Sequence, residues 1–309
     1  MLNDKIYLID GGLSTELMCL GYKPDETKLW TGNSIVERPD LLKQAHLNFL
    51  KSGSDIITTA SYQLSVDLIE ENLKCTNQKA YDIIKQSFRI AKEAVKEANL
   101  GSEILIAGSI GPYGACLCDG SEYVGHYAKN LTIDFLIDWH RPRFESLLEE
   151  GCDLFAFETI PSIKEARALI KLLSEHPNVK AWLSFSCKNE SEISSGDRFR
   201  DAYQVFKDNM QLIAIGINCT YPKYIEKLLE SVSNDGTVSK PFIIYSNDAK
   251  IWDNSIRRYV NSNNEDPMKV VMEAIPKWIK LGAQYIGGCC NINSENIQQI
   301  KNFISDNHI

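Results

Sequence analysis

Cys219 closes the apolar run Ala214-Ile-Gly-Ile-Asn-Cys219, and a second run, Tyr285-Ile-Gly-Gly, ends on the adjacent pair Cys289 and Cys290. Three thiolates converging on one point make a sulfur-rich zinc site. Three protein ligands leave the fourth tetrahedral position open, as in catalytic zinc centres. Soft ligands favour a soft atom in that position, and a thiolate is the softest in metabolism, so the pattern points to a reaction at sulfur. The alternative reading is three small buried residues, since cysteine is often interior. Gly287 and Gly288 favour the first reading, because a backbone without side chains can approach another element closely.

The residues around these cysteines define what must position them. Short apolar runs recur at Ile6–Ile9, Asp55–Thr58, Ile104–Ala107, Leu154–Phe157, Ala181–Phe185, Ile213–Ile217, Pro241–Tyr245 and Tyr285–Gly288. They are near-continuous rather than alternating, as parallel strands covered on both faces are. Helical periodicity lies between them. Leu42, Ala45, His46 and Phe49 share one face, and Phe135 to Leu148 and Val270 to Leu281 read likewise. Gly53, Gly151 and Gly282 stand where helices stop before the next strand, and Pro39 and Pro161 where helices start. Eight strand–helix alternations predict a single (β/α)8 TIM barrel over residues 1–309. The rival, an open doubly wound sheet, calls for a Gly-rich phosphate loop that Asp10-Gly-Gly-Leu-Ser-Thr15 does not supply. The polar stretches Asn189–Arg200 and Asn247–Asp266 are expected on the catalytic rim.

Barrel chemistry sits at the C-terminal strand ends. In order these are Asp10, Thr59 with Ser61, Ser109, Glu158, Ser186 with Cys187, Asn218 with Cys219, Asn247, and Cys289 with Cys290. Asp10 and Glu158 are the acidic ends. A buried carboxylate needs a cation or hydrogen-bond donors. That leaves two readings, a structural Lys or Arg partner and a pair of carboxylates holding a substrate ammonium. Gly11 and Gly12 would leave backbone N–H groups for a substrate carboxylate, and ammonium plus carboxylate describes an amino acid. None of His46, His126, His140, His176 and His308 ends a strand, so a water-activating His/Asp metal site has no ligand set.

Composition narrows the setting. The chain has 309 residues, 44% hydrophobic and 24% charged, with a net charge of -8. An acidic protein is a poor partner for nucleic acid or anionic membranes, and no apolar run reaches a membrane span. The N-terminal segment enters a strand pattern directly, without a secretion-signal pattern. Nine cysteines, an odd number, then suggest reduced thiols and a cytoplasmic protein. Cys19, Cys75 and Cys152 read as buried small residues, Cys187 ends a strand, and Cys116 and Cys118 form a Cys-x-Cys in a Gly-rich loop.

Seven ordered segments carry a resemblance: Asp10-Gly-Gly-Leu-Ser-Thr-Glu-Leu17, Asp55-Ile-Ile-Thr-Thr-Ala-Ser-Tyr-Gln63, Ala107-Gly-Ser-Ile-Gly-Pro-Tyr-Gly114, Asp119-Gly-Ser-Glu-Tyr123, Phe157-Glu-Thr-Ile-Pro161, Gly216-Ile-Asn-Cys219 and Gly287-Gly-Cys-Cys290. Over nearly its full length the chain resembles the homocysteine S-methyltransferases. The resemblance implies a zinc-containing barrel that methylates homocysteine to methionine. It implies zinc on Cys219, Cys289 and Cys290, the homocysteine ammonium at Asp10 and Glu158, its carboxylate at the Gly11–Gly12 backbone, and Trp30 lining the pocket. Zinc deprotonates a bound thiol, which then attacks the methyl group of a cationic donor. Aromatic faces hold onium groups, and Trp30, Tyr62, Tyr113 and Trp252 are candidates for that wall. The expected partners are small molecules alone, with S-methylmethionine as donor and S-adenosylmethionine next, in a monomer or small homo-oligomer. Betaine users resemble the motifs but usually carry extra C-terminal sequence. Rival readings are a non-catalytic zinc- or thiol-binding barrel and a barrel lyase with Glu158 as base. Three rim segments depart from the pattern: Asn291-Ile-Asn293 where relatives usually read Arg-Thr-Thr, Tyr245-Ser-Asn-Asp-Ala-Lys250 where they often read Tyr-Pro-Asn-Ser-Gly-Glu, and Ser195-Gly-Asp197 where they read Asp-Gly-Thr.

Overall fold

Parallel strands alternate with helices around a closed ring in the computed structural model, which describes residues 5–101, 103–233, 236, 238–253, 258–261 and 266–307, with backbone alone at 250–253 and 258–261. The strands are β1 (Tyr7–Leu8), β2 (Ile56–Thr58), β3 (Leu105–Ile110), β4 (Leu154–Ile160), β5 (Lys180–Phe185), β6 (Leu212–Asn218), β7 (Phe242–Ser246), β8 (Lys250–Asp253), β9 (Arg258–Asn261) and β10 (Ala283–Gly288). Eight of them form one parallel sheet in the order β1-β10-β7-β6-β5-β4-β3-β2. A parallel bridge between Ile9 and Ile56 joins its two edges. Every apolar run read as a strand is one, and the fold is the (β/α)8 barrel. The two further strands, β8 and β9, pair antiparallel inside the polar Asn247–Asp266 segment. Their sequences, Lys-Ile-Trp-Asp and Arg-Tyr-Val-Asn, each set two β-favouring residues side by side, a signal masked by the polar flanks.

The strands are apolar on both faces because they face two cores. Inward, Trp182 fills a lumen that Ala107, Ala156 and Ala214 leave open, with Ile9, Ile56, Ile243 and Tyr245 around it. Outward, Ile57, Phe155, Phe157, Leu183, Ile215 and Ile244 pack under the helices. Pro39 is the first residue of the helix Pro39–Lys51, where its missing N–H costs nothing. Pro161 instead precedes Ser162, whose hydroxyl caps the helix Ile163–Ser174 by accepting from the Glu165 N–H at 3.2 Å. Gly53, Gly151 and Gly282 sit at φ of 96°, 92° and 108°, the left-handed geometry that ends a helix cheaply only at glycine. Among the described residues no helix is long and apolar enough to cross a membrane.

Leu42, Ala45, His46 and Phe49 are fully buried on one face of Pro39–Lys51. Both ring nitrogens of His46 lack a hydrogen-bond partner among the described residues. Burial therefore holds the imidazole neutral and lowers its pKa from 6.5 to about 4. The unfolded chain takes up this proton near pH 6.5 and the folded chain does not, so this contribution to stability is complete above pH 6.5 and is lost as pH falls toward 4. His46→Leu is expected to remove about 3 kcal/mol of acid sensitivity from the wild-type curve. Urea midpoints at pH 7.5 and 4.5 for both proteins test this; equal pH slopes would contradict it.

Candidate active site

At the C-terminal rim, Cys219, Cys289 and Cys290 bring their sulfurs within 4.8 Å of one another. Cys219 Sγ lies 2.8 Å from Cys289 Sγ and 3.5 Å from Cys290 Sγ. Strand β7 builds this cluster from below. The Cys219 N–H donates to the Tyr245 carbonyl at 3.1 Å and the Cys289 N–H to the Ser246 carbonyl at 2.8 Å, so two chain segments dock on consecutive peptides of the strand between them. The close approach expected at Gly287 is real: a Cβ there would sit 2.9 Å from the Asp10 carbonyl oxygen. Three thiols with sulfurs this close fit a tetrahedral zinc with Zn–S distances near ~2.3 Å, since its sulfurs stand roughly 3.8 Å apart. The Tyr123 hydroxyl lies 3.4 Å from Cys219 Sγ.

Asp10 and Glu158 are both buried beside this cluster, 3% and 8% exposed. Neither has a Lys, Arg or His partner within ion-pair distance among the described residues, contrary to the structural reading of the sequence. Asp10 accepts from the Thr58 N–H at 2.7 Å and the Thr58 hydroxyl at 3.0 Å. Burial outweighs these bonds, the charge of Glu158 adds to it, and the Asp10 carboxyl rises to about 8. Glu158 accepts from the Ser109 hydroxyl. Burial lifts it to about 7, against hydrogen bonds from Ser109 and Tyr245 and the more distant Arg143 charge. Two carboxylates near enough to repel each other, without a counter-ion, make a site for a cation.

The backbone amides differ from expectation. The Gly12 N–H donates to the Ile292 carbonyl at 2.8 Å and is taken, whereas the Gly11 N–H has no partner among the described residues. Trp30 is half-buried at a φ of 52° and opens the turn Trp30–Asn33. The Lys28 carbonyl just before it accepts from Gln63 at 3.1 Å, which ties this segment to the loop after β2. The Tyr62 phenol shares a hydrogen bond with the Thr159 side chain and feels the charges of Cys219 and Glu158, so it faces the cysteines. Tyr113 does not join this wall; its ring packs among Tyr127, Phe135 and Trp139 on the outer layer. The Trp252 side chain lies outside the described residues. Cys19 is exposed rather than buried, Cys75 partly exposed, and Cys152 and Cys187 buried.

Several residues that hold the site in place carried no role in the sequence reading. Thr159 sits at a φ of 59° and Cys219 at 50°, the left-handed region that a β-branched residue rarely enters. Asn218 holds Thr159 there from both sides, its Oδ1 accepting the Thr159 N–H at 2.7 Å and its Nδ2 donating to the Thr159 hydroxyl at 2.8 Å. Below it a chain of buried polar groups crosses the lumen. Ser184 donates to Asn218 at 2.9 Å and meets the Tyr245 hydroxyl at 2.6 Å, which also accepts from Trp182 Nε1 at 2.9 Å. Polar side chains inside otherwise apolar strands were the available signal.

A second buried assembly supports the rim from outside the lumen. Arg143, 2% exposed, donates to the carbonyls of Tyr62 and Gly111, each at 2.6 Å. It also meets His140 Nδ1 at 3.2 Å, which must then accept, so Nε2 carries the proton to Glu165 at 3.0 Å. Glu165 in turn accepts from the Tyr113 N–H and the Tyr127 hydroxyl, the two ends of the loop that carries Tyr123.

Two of the three departing rim segments touch each other. Asn291 donates to Asp248 at 3.1 Å, and Asn247 accepts from the Cys290 N–H at 3.2 Å. Asn293 caps the helix Ser294–Asp306 in a capping box with Asn296. Ser195 donates to Asp197 at 2.8 Å within its own loop.

A model of the homocysteine S-methyltransferases matches residues 7–304. The chain belongs to that family. Homocysteine S-methyltransferase YbgG of Bacillus subtilis is 37% identical over 302 residues, which cover 96% of this chain and 93% of that one. Betaine-homocysteine S-methyltransferase of Drosophila melanogaster is 35% identical over 311 residues, 95% of this chain and 92% of that one. That second coverage removes chain length as a guide to the donor, against the expectation of extra C-terminal sequence in betaine users. Among solved structures, the homocysteine methyltransferase MmuM of Escherichia coli superposes in its metallated form with a TM-score of 0.84 and 31% identity, covering 97% of this chain and 96% of that one. Its oxidised form gives 0.85 and its apo form 0.75. The chain is thus a methyltransferase of the homocysteine family, with a metallated structural relative.

Asn218→Ala is expected to lower stability by about 2–4 kcal/mol, because two buried hydrogen bonds go and Thr159 loses its support. In that background Thr159→Gly should restore about 1 kcal/mol by relieving the backbone. Denaturant midpoints of both variants decide; a single mutant as stable as wild type would remove the clamp from the account.

Proposed function

We propose that the protein transfers a methyl group from a sulfonium donor, S-methylmethionine in first place, to homocysteine, giving methionine. The observation that carries this is the set of three thiols within 4.8 Å of one another beside two buried carboxylates that have no counter-ion among the described residues. Cys219, Cys289 and Cys290 would hold zinc, for which an all-sulfur donor set at the end of a barrel is suited. Bound there, zinc supplies the Lewis acidity that keeps an acceptor thiol, normally near ~8.5 in pKa, deprotonated at neutral pH.

The chain's own residues do the rest. Asp10 and Glu158 take the acceptor's ammonium, whose charge offsets the burial that raises both carboxyls. The Gly11 N–H, which has no partner among the described residues, is available to its carboxylate. Trp30 and Tyr62 wall off water and face an onium group with their rings. The acceptor's sulfur forms a bond to the donor's methyl carbon as the donor's own carbon–sulfur bond breaks. The bonding pair stays on the leaving sulfur, so a cationic sulfonium becomes a neutral thioether. Charge is dispersed along this path, which a dry pocket tolerates, and no organic cofactor is needed. Alignment of the two sulfurs and the methyl then governs the rate.

Each of Cys219→Ser, Cys289→Ser and Cys290→Ser is expected to lose zinc and methyl transfer while keeping its far-ultraviolet spectrum. Full zinc occupancy in all three would remove the assignment. With purified, metal-loaded protein and homocysteine, methionine formation should show a higher kcat/KM for S-methylmethionine than for S-adenosylmethionine, and none from betaine. Robust betaine turnover would replace the donor and leave the acceptor chemistry standing.

A further inference from the structure

Asp10 and Glu158 accept hydrogen bonds from Thr58 and Ser109, whereas the Glu122 carboxyl accepts one from its own backbone N–H. Its Oε2 is shut off from solvent and has no partner among the described residues. Burial pushes its carboxyl up to about 7, and the charges acting on it, Asp119 and Cys290, are of its own sign. Glu122 lies in the turn Ser121–Tyr123, one residue before the tyrosine whose hydroxyl sits 3.4 Å from Cys219 Sγ. Its carbonyl accepts from Ser186 at the end of β5 at 3.0 Å, which pins the turn over the barrel mouth. Gly114 allows the turn to pack down, since a Cβ there would lie 2.8 Å from the Glu122 nitrogen. The carboxylate acts on Tyr62 and Tyr123 as well as on Cys290, so it borders the same space as the cysteines.

A buried acceptor with an unmet oxygen is costly and calls for a ligand that brings the missing donor. In the reaction proposed above, on which this inference rests, Asp10 and Glu158 serve the acceptor's ammonium. A sulfonium amino acid brings two more cationic groups, its sulfonium and its own ammonium. The sulfonium has no N–H, so only the ammonium can satisfy the Glu122 oxygen. We propose that Glu122 binds the α-ammonium of the methyl donor and thereby selects onium donors that are amino acids over those without an N–H.

The test compares S-methylmethionine with its deamino analogue, dimethylsulfoniobutanoate, on metal-loaded wild type, Glu122→Gln and Glu122→Met. Calorimetry gives the affinities, and kinetics gives KM for homocysteine. Wild type should bind S-methylmethionine about tenfold or more tightly than the analogue, as a charged hydrogen bond provides. Both variants should bring the two affinities together by weakening S-methylmethionine alone, with the homocysteine KM unchanged. A folded variant, judged by thermal melting, that keeps the wild-type ratio overturns the proposal, as does a loss confined to homocysteine. A Glu122-dependent ratio in a wild type that forms no methionine would sink the proposed reaction and keep this site. Transfer from S-methylmethionine with the ratio unmoved would do the reverse.

Discussion

Strands that are not neighbours must deliver three sulfurs to one point. β7 lies between β6 and β10, so with neighbouring strands ~4.8 Å apart the backbones of β6 and β10 are separated by roughly 9.6 Å. The sulfurs of Cys219 and Cys289 are nevertheless 2.8 Å apart. Both segments lean over the end of β7, held by consecutive carbonyls of Tyr245 and Ser246. The strained φ of Cys219 is part of that lean. Much else at this face follows: Ser246 is small and fully buried where β7 ends, and glycines occupy the last two positions of β10.

Strain concentrates around the same point. Thr159 near the end of β4, Cys219 just after β6 and Asn291 after β10 each adopt a positive φ, and each is near a group proposed to act in the reaction. Such conformations persist where the surroundings over-determine them. For Thr159 the surroundings are Asn218 and, through it, the polar chain from Trp182 to Tyr245. For Asn291 they are Thr15, which accepts its N–H at 3.0 Å, and Asp248. That last contact joins two segments that depart from the family pattern.

The barrel was legible because each strand is a short apolar run and helices end on glycines such as Gly53 and Gly151. The cysteine cluster was legible because a barrel converts strand-end positions into neighbours. What escaped was whatever depends on a partner rather than on a pattern. Nothing in the sequence around Gly12 shows that Ile292, nearly the chain length away, occupies its N–H. Tyr113 and Tyr62 look alike as aromatics after strands, yet one faces the outer helices and the other the cysteines. His140 and Glu165 read as helix residues, and only packing joins them to Arg143 beneath the rim loops. The β8–β9 hairpin lay within a segment whose polarity hid its β-favouring pairs.

X-ray absorption at the zinc edge of the metal-loaded protein tests the central claim most directly. The expected result is three sulfur ligands without homocysteine and four with it. A metal bound through nitrogen or oxygen ligands alone, or a sulfur count that homocysteine leaves unchanged, would contradict it.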